Sequence, residues 1–412
     1  MMKKKKISLI TDGTYGDLLP YVFLAKELKS RGYDVLFFTN ESYQKVCDFF
    51  DINLIPVTSQ SIKDSFLKNE NFWKPRNTIK NVAEYADKVF FESIEKILHE
   101  TKDSDLIISH PLVFSGKTAS EVNSIKYAGV SISPICIKSN IRLPIFFGGL
   151  NFNFLPRIIK NNFYNFAYIF VIRKYFKEIP KWRKYRGLVK IKDPLHWGSK
   201  AEITIGLWSE WYCDVFEDQK EYLKLSGFTK NVEFFEGKTD PELIRWIKEK
   251  PTILITMGSG YLFIKKWENI IKKMSKTYDY NFLIITPENI ISKNKKIKYV
   301  RMLSLKQILP LCDLCIHHGG AGMVTQTLGS GTPSIVVPMA HDQPDNGHII
   351  ESIGAGVVIW MKEPKYNLIA GAIDKVLSSK TIKEKAIKCK NKINKSKDGI
   401  VVASDLLEKY LN

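Results

Sequence analysis

The run Cys312-Asp313-Leu314-Cys315-Ile316-His317-His318-Gly319-Gly320-Ala321-Gly322 joins an apolar stretch to two imidazoles and three glycines. Its pattern predicts a buried strand ending at the histidines, a glycine turn, and a helix from about Met323. A helix N-terminus presents N–H groups with no intrahelical acceptor, and its dipole favours negative charge. Glycines let the main chain approach a ligand with no Cβ in the way. His318 adds an imidazole donor at the same spot, while His317 is read as structural. This is chemistry suited to a phosphate. Further on, His341-Asp342-Gln343-Pro344-Asp345-Asn346 supplies carboxylates and amides, the acceptors and donors that neighbouring sugar hydroxyls require.

Such a turn must be held by a sheet. The chain opens with a short apolar run, Ile7 to Ile10, then the turn Asp12-Gly13-Thr14-Tyr15-Gly16-Asp17, then helical spacing from Leu18 to Ser30. Strands are expected near 35–39, 53–57, 106–109, 127–131 and 203–207, with a helix near 43–50. A second alternation gives strands near 252–256, 282–286, 314–317, 334–337 and 356–359, helices at 308–311 and 323–328, and a final helix at 404–411. Strand–helix alternation of this kind means an α/β protein with open parallel sheets covered on both faces. The expected division is an N-terminal domain at 1–229, a linker at 230–240, a second domain at 241–395, and a C-terminal helix at 396–412 packing back on the first.

At 412 residues the chain is too long for one core and suits two domains. A hydrophobic content of 44% and charged content of 25% suit a folded globular protein, and a net charge of +19 favours acidic partners. The six cysteines are scattered, which fits a reducing compartment; Cys312 and Cys315 have apolar neighbours and no second ligand pair, so buried strand residues are expected there rather than a zinc site. Lys3 to Lys6 before Ile7-Ile10 resembles a signal start, but Thr11-Asp12-Gly13 ends the apolar run early. The apolar stretch Phe163 to Ile172 is too short to span a bilayer. The expected location is cytoplasmic, with a peripheral place at the inner membrane face left open. From Pro134 to Gly198 the alternation breaks and aromatics interleave with bases, among them Phe146, Phe147, Phe154, Phe163, Tyr164, Phe166, Tyr168 and Phe170. Arg157 to Lys200 carries twelve Lys or Arg against Glu178 and Asp193. Two readings stand: an insertion with its charges in water, or an acceptor pocket whose basic flank lies against anionic lipid.

Gly16-Asp17-Leu18-Leu19-Pro20, Asp105 to Leu112, Gly258-Ser259, Leu309-Pro310-x-Cys312-Asp313 and the sequence from His317 to Gly322, followed by Gly331-x-Pro333, Pro338 and Asp342-Gln343-x-x-Asn346, occur in an order that resembles one family. The chain is similar to nucleotide-sugar glycosyltransferases of the GT-B fold, in the branch of bacterial sterol, macrolide and glycopeptide-antibiotic transferases and their plant relatives. The resemblance runs from Ile7 to about Val358. It implies two Rossmann-like, doubly wound domains facing across a cleft. It also implies inverting, metal-independent transfer of a hexose from a UDP- or dTDP-linked donor to a hydroxyl of an apolar acceptor, with the nucleotide sugar as co-substrate and no other cofactor.

By the same resemblance Asp17 is the general base, with capping of the helix start as its other reading. A carboxylate of ordinary pKa, about 3.9, is a weak base for a hydroxyl, so it needs desolvation or a partner that takes up its proton. His110 is that partner, in an order swapped relative to many relatives. The diphosphate falls to His318, to the N–H groups of Gly320, Ala321, Gly322 and Met323, and to Gly258 and Ser259. Asp342 and Gln343 hold the sugar, Met302 and Leu303 the nucleotide base, and Gln326 the ribose. Gly16, Phe146 and Phe147 belong to the acceptor site. Met323 stands where a Ser or Thr is common, and Gln326 where plant relatives have Glu. Asp103-Ser104-Asp105 has the letters of a metal motif but leads into a strand, and no metal is expected.

Three other functions compete. A dinucleotide oxidoreductase is disfavoured because the first turn lacks G-x-G-x-x-G and places Asp where a pyrophosphate would sit. A nucleic-acid binder is suggested by charge alone. A degenerate transferase that serves as a binding or activating partner is left open by Met323 and Gln326.

Overall fold

The computed structural model describes residues 4–167, 172–230, 232–361 and 363–412; Tyr168 and Phe170 lie outside the described residues, as do the side chains of Phe163 and Tyr164. Two compact units emerge. The first comprises Met1–Pro144, Asn151–Thr229 and Lys397–Asn412, and the second Ile145–Leu150 with Lys230–Ser396.

In the first unit the strands are β1 (Lys6–Ile10), β2 (Asp34–Asn40), β3 (Leu54–Thr58), β4 (Leu106–Ser109), β5 (Lys126–Ser131), β6 (Ile203–Gly206) and β7 (Leu223–Leu225). They form one sheet in the order β3-β2-β1-β4-β5-β6-β7, parallel throughout. The second unit holds β8 (Thr252–Thr256), β9 (Asn281–Ile285), β10 (Ile297–Val300), β11 (Leu314–His317), β12 (Ser334–Val336) and β13 (Gly356–Val358). Their order is β10-β9-β8-β11-β12-β13, again parallel. Both sheets reverse strand order once, between β1 and β4 and between β8 and β11. That reversal opens a crevice at the carboxyl ends of the strands, where ligands bind in open α/β sheets.

The strands are apolar on both faces because both faces are covered. In β8, Ile253 and Ile255 enter one core with Trp267, Phe282, Ile284, Leu314 and Ile316. Leu254, between them, enters the opposite core with Leu283, Cys315, Leu243 and Trp246. Cys312 and Cys315 are thus core residues; burial pushes the Cys312 thiol up to about 12, and its Sγ lies 3.4 Å from the carbonyl of Ile308.

The first helix spans Tyr15–Ser30, three residues earlier than expected, because Thr14 and Asp17 form a reciprocal capping box. The helix after the glycine turn spans Ala321–Ser330 rather than starting at Met323. The edge strands β7 and β10 escape the sequence reading, as does the 23-residue helix Thr78–Glu100, which covers one face of the first sheet through Ala83, Ala86, Phe90, Ile94 and Ile97. The last helix, Gly399–Leu411, is held within the first unit by Arg31, whose guanidinium reaches Asp405 at 2.8 Å and Glu408 at 2.5 Å.

Candidate functional site

In the second unit β8 and β11 pair so that Thr256 lies beside His317. Gly258, two residues past β8, and His318, one past β11, therefore emerge together at the reversal of strand order. A Cβ built on Gly258 would sit 2.4 Å from Cε1 of His318, and one on Gly320 would sit 2.5 Å from its Nε2. Those two glycines make room for the imidazole itself. Gly319 serves packing instead: its φ is +91°, and a Cβ there would meet Val336 Cγ1 at 2.6 Å.

His318 is half-buried, and desolvation lowers its pKa to about 4, so the ring is neutral at pH 7. Its Nδ1 is buried without a hydrogen-bond partner among the described residues. His317 is fully buried; its Nδ1 accepts from the Gly319 N–H at 3.1 Å, and burial beside His318 lowers its pKa to about 3. It braces the turn. Gly320 is the N-cap of the Ala321–Ser330 helix, and its carbonyl accepts from the Val324 N–H at 3.1 Å. The N–H groups of Ala321, Gly322 and Met323, in the first turn, have no intrahelical acceptor. Met323 turns its side chain into the core beside Leu303 and Ile308, which explains why no hydroxyl is available there. Ser259 is half-buried in the turn after β8.

The segment expected to be a sugar-binding loop is the start of a helix, Gln343–Ser352, with Asp342 at its N-cap. Asn346 ties it to the glycine turn, its Nδ2 donating to the Gly319 carbonyl at 3.0 Å and to Asp342 Oδ2 at 2.8 Å. The structure thus brings Asp342, Gly319 and His318 into one cluster through a residue that the sequence reading placed in the motif but not in the site. Gln343 is buried, and its Oε1 accepts from the N–H groups of Met339 and Ala340 at 2.8 and 3.1 Å. Only its NH2 group is left for a ligand. His341, at φ 60°, makes the sharp entry to this helix, and burial lowers its pKa to about 4.

Met302 is exposed and Leu303 buried in the segment after β10. Gln326 donates one amide N–H to the Val232 carbonyl at 3.0 Å, which leaves its other N–H and Oε1. Phe146 and Phe147 fall in the Ile145–Leu150 segment, which groups with the second unit rather than with the residues around it in the chain. Phe147 meets Trp360 edge-on at 6.1 Å, and the fully buried Asp345 accepts the Ile145 N–H at 3.0 Å.

The first unit repeats the arrangement. β1 and β4 pair Ile10 with Ser109, and the residues that follow at the same reversal lead to Asp17 and His110. Asp17 Oδ2 accepts from the Thr14 N–H at 2.7 Å and the Thr14 hydroxyl at 3.0 Å, whereas Oδ1 bonds no described residue. Gly13, at φ +131°, leaves space for that carboxylate; a Cβ would lie 2.5 Å from Oδ2. Gly16 lies inside the helix's first turn. His110 is buried, which lowers its pKa, and the nearby Asp17 charge partly offsets this. Its Nδ1 accepts from the Leu112 N–H at 3.2 Å, so the neutral ring carries its proton on Nε2. The expected transfer of a proton from Asp17 to His110 finds no vacant nitrogen. His110 is equipped to donate.

Beside this pair lies a cluster that the sequence did not reveal. Asp12 is buried and accepts from the hydroxyls of Thr58 and Tyr85, from strand and helix positions 46 and 73 residues away. Burial raises its pKa despite these bonds and the nearby Lys63 charge. Lys63 donates to Ser42 at 2.9 Å, lies 3.5 Å from the Tyr43 ring centre, and is lowered to about 8 by burial. Tyr43 in turn donates to the Gly13 carbonyl at 2.8 Å, so the turn carrying Asp17 is clamped from the side.

With this geometry in view, residues 7–139 match the N-terminal domain of glycosyltransferase family 28. Residues 283–408 match the C-terminal domain of proteins like erythromycin biosynthesis protein CIII. Sterol 3-beta-glucosyltransferase of Vanderwaltozyma polyspora is 24% identical over 97% of this chain and 34% of its own length. UDP-sugar-dependent glycosyltransferase 52 of Dictyostelium discoideum is 22% identical over 100% of the chain and 26% of its own length. The chain therefore spans about a third or less of these relatives. Among solved structures, the glycotransferase of kitacinnamycin superposes with a TM-score of 0.73 at 16% identity, covering 100% of both chains. Streptomyces sp. SF2575 glycosyltransferase SsfS6, complexed with thymidine diphosphate, gives 0.65 at 16% identity, covering 98% of this chain and 99% of that one.

Proposed function

This chain belongs to the GT-B glycosyltransferases of the GT1/GT28-like family, and on that footing we propose that it moves a hexose from a nucleoside diphosphate to a hydroxyl of an apolar acceptor. The likeness to a sterol 3-beta-glucosyltransferase and to the glycotransferase of kitacinnamycin supports a sterol, natural product or lipid as acceptor class. The observation that carries the reading is the cluster in the second unit: an unpartnered imidazole nitrogen, a free helix N-terminus and a carboxylate, joined by Asn346.

The reaction is a single in-line displacement at the anomeric carbon with inversion. The leaving diphosphate gains charge as the bond breaks. The N–H groups of Gly320, Ala321, Gly322 and Met323 and the neutral His318 ring donate to it, and a donor to a charged group contributes about 1.5–3 kcal/mol. This set removes the need for a metal. Asp342 and the NH2 group of Gln343 orient the sugar. At the other reactant, Asp17 takes the acceptor's proton on Oδ1, because Oδ2 is committed to Thr14. His110 donates through Nε2 and steadies the carboxylate or the incoming hydroxyl, without itself taking a proton.

The test is Asp17→Asn, assayed by mass spectrometry with a panel of nucleotide sugars and apolar hydroxyl acceptors. The expected result is a fall in transfer of about 10²–10⁴-fold, the range for losing a general base, with donor binding by calorimetry retained. Undiminished turnover would end the assignment. Failure of the wild-type protein to transfer or hydrolyse any donor would favour a degenerate, non-catalytic binding role.

A further inference from the structure

Among its described side chains, the helix Arg157–Ala167 turns apolar residues outward. At 100° per residue, Ile158, Ile159, Asn162 and Phe166 share one side, and Lys160 lies on the other. Among the helix's described side chains Lys160 is the buried one: its ammonium donates to the carbonyls of Ile141 and Asn153, which holds the helix to its own unit by a polar contact. The apolar side faces outward, with Ile158 74% and Phe166 63% exposed, and Phe154 just before the helix is 80% exposed. A helix on a water-facing surface normally places these residue types the other way round. Exposed apolar side chains gathered on one element mark an interaction face.

The charge that follows in the chain says what covers it. Between Arg157 and Lys192 the sequence has a single acid, Glu178. Arg173, Lys174, Lys177, Lys181, Lys184 and Lys190 are exposed, and among the described residues none of the six forms an ion pair. Tyr185 and Val189 stand among them, 92% and 81% exposed. Exposed apolar residues suited to an acyl layer, followed in the chain by exposed bases without ion pairs suited to phosphate headgroups, fit an interfacial membrane contact. Among the described residues no helix is long and apolar enough to cross a bilayer, so the contact is peripheral. We propose that the exposed apolar residues Phe154, Ile158, Ile159 and Phe166, with the exposed bases between Arg173 and Lys190, dock on an anionic lipid bilayer. A protein partner of the same chemistry would need a complementary acidic, apolar face, and this chain's own surplus of positive charge opposes a second copy of itself.

The experiment is co-sedimentation of the full chain with phosphatidylcholine vesicles, with and without phosphatidylglycerol. Binding should be about tenfold or more stronger with the anionic lipid and fall with salt; each of Lys181→Ala and Lys184→Ala should weaken it about fivefold, the value of one base near such a surface. Ile158→Ser with Phe166→Ser should abolish it, and Phe154→Ser, outside the helix, supplies the same readout if the double variant does not fold. Equal binding to both vesicle types, no binding, or unchanged binding by the apolar variants would overturn the proposal. So would light scattering that shows a dimer broken by Phe154→Ser, because the face would then belong to a second copy. None of these outcomes depends on sugar transfer, so the proposed reaction stands or falls separately.

Discussion

His318 carries no charge of its own before a donor arrives. Desolvation holds it neutral near pH 7, its Nδ1 is buried without a partner, and glycines on two sides leave its ring free of crowding. A neutral imidazole still donates one N–H, and the approach of a diphosphate raises its affinity for a second proton. On the proposed reaction, replacing it with alanine removes a donor to the leaving group. The expected cost is about 10²–10³-fold in turnover, as for losing one oxyanion donor. His318→Asn, which restores one N–H, should recover part of it. If His318→Ala and wild type gave equal turnover across the donor panel, the diphosphate would have to rest elsewhere. At Asp17 the two carboxylate oxygens have separate tasks, one capping the helix through Thr14 and one left open. Thr14→Ala should therefore cost about 1 kcal/mol of stability, the usual value of a lost cap, and reduce activity only through the looser turn. Melting curves beside turnover would separate the two effects.

The helix Ala321–Ser330 offers a controlled comparison between two glycines. Gly320 at its N-cap has the His318 ring 2.5 Å from where a Cβ would sit, whereas Gly329 near its end has nothing within 4 Å. Gly329→Ala should stabilise the protein by up to about 1 kcal/mol, the helix-propensity difference, and leave transfer unchanged. Gly320→Ala should displace the imidazole and lower donor affinity by about tenfold or more, since a lost charge-assisted hydrogen bond is worth at least that, and should lower the melting temperature as well, because alanine is a poorer N-cap than glycine. Calorimetric titration with a nucleoside diphosphate measures both. Equal affinity in the two variants would mean that the glycine serves only the backbone turn. The start of Gln343–Ser352 acts with this helix, since Asn346 joins its N-cap to the glycine turn. Asn346→Asp should loosen donor binding, because a carboxylate cannot donate to either the Gly319 carbonyl or Asp342.

At the scale of the molecule, both halves use one device: a parallel sheet whose order reverses once, with the chemistry-bearing residues just past the two strands at the reversal. The parallel sheets, though not their strand order, were legible in the sequence. Fully buried parallel strands are short continuous apolar runs, so 106–109, 252–256 and 314–317 could be read to the residue. The glycines and histidines after them were equally plain. Edge strands such as Ile297–Val300, half solvated and alternating with Lys298, carry no such run. Asp12 with Thr58 and Tyr85 was hidden because hydrogen bonds across 46 and 73 residues leave no local pattern. The roles of Gln343 and Gln326 were hidden too, since the same amide suits a ligand or a backbone carbonyl. What both halves bury has a consequence for the whole protein. His317 is lowered to about 3, His318 and His341 to about 4, and His110 also lies below its ordinary value, all by desolvation. A base whose folded pKa is depressed is protonated first in the unfolded chain. The stability it permits is therefore complete above the unfolded value of about 6.5 and drains away as pH falls toward 4, by up to about 1.4 kcal/mol per pH unit for each fully buried ring. The melting temperature should stay flat from pH 8 to about pH 7 and fall steeply below about pH 6. Added nucleoside diphosphate should blunt that fall, because it stabilises the protonated form of His318 alone among the four. A melting profile with no acid limb, or one that nucleotide leaves unmoved in His318-containing protein, would break the link between this ring and the phosphate.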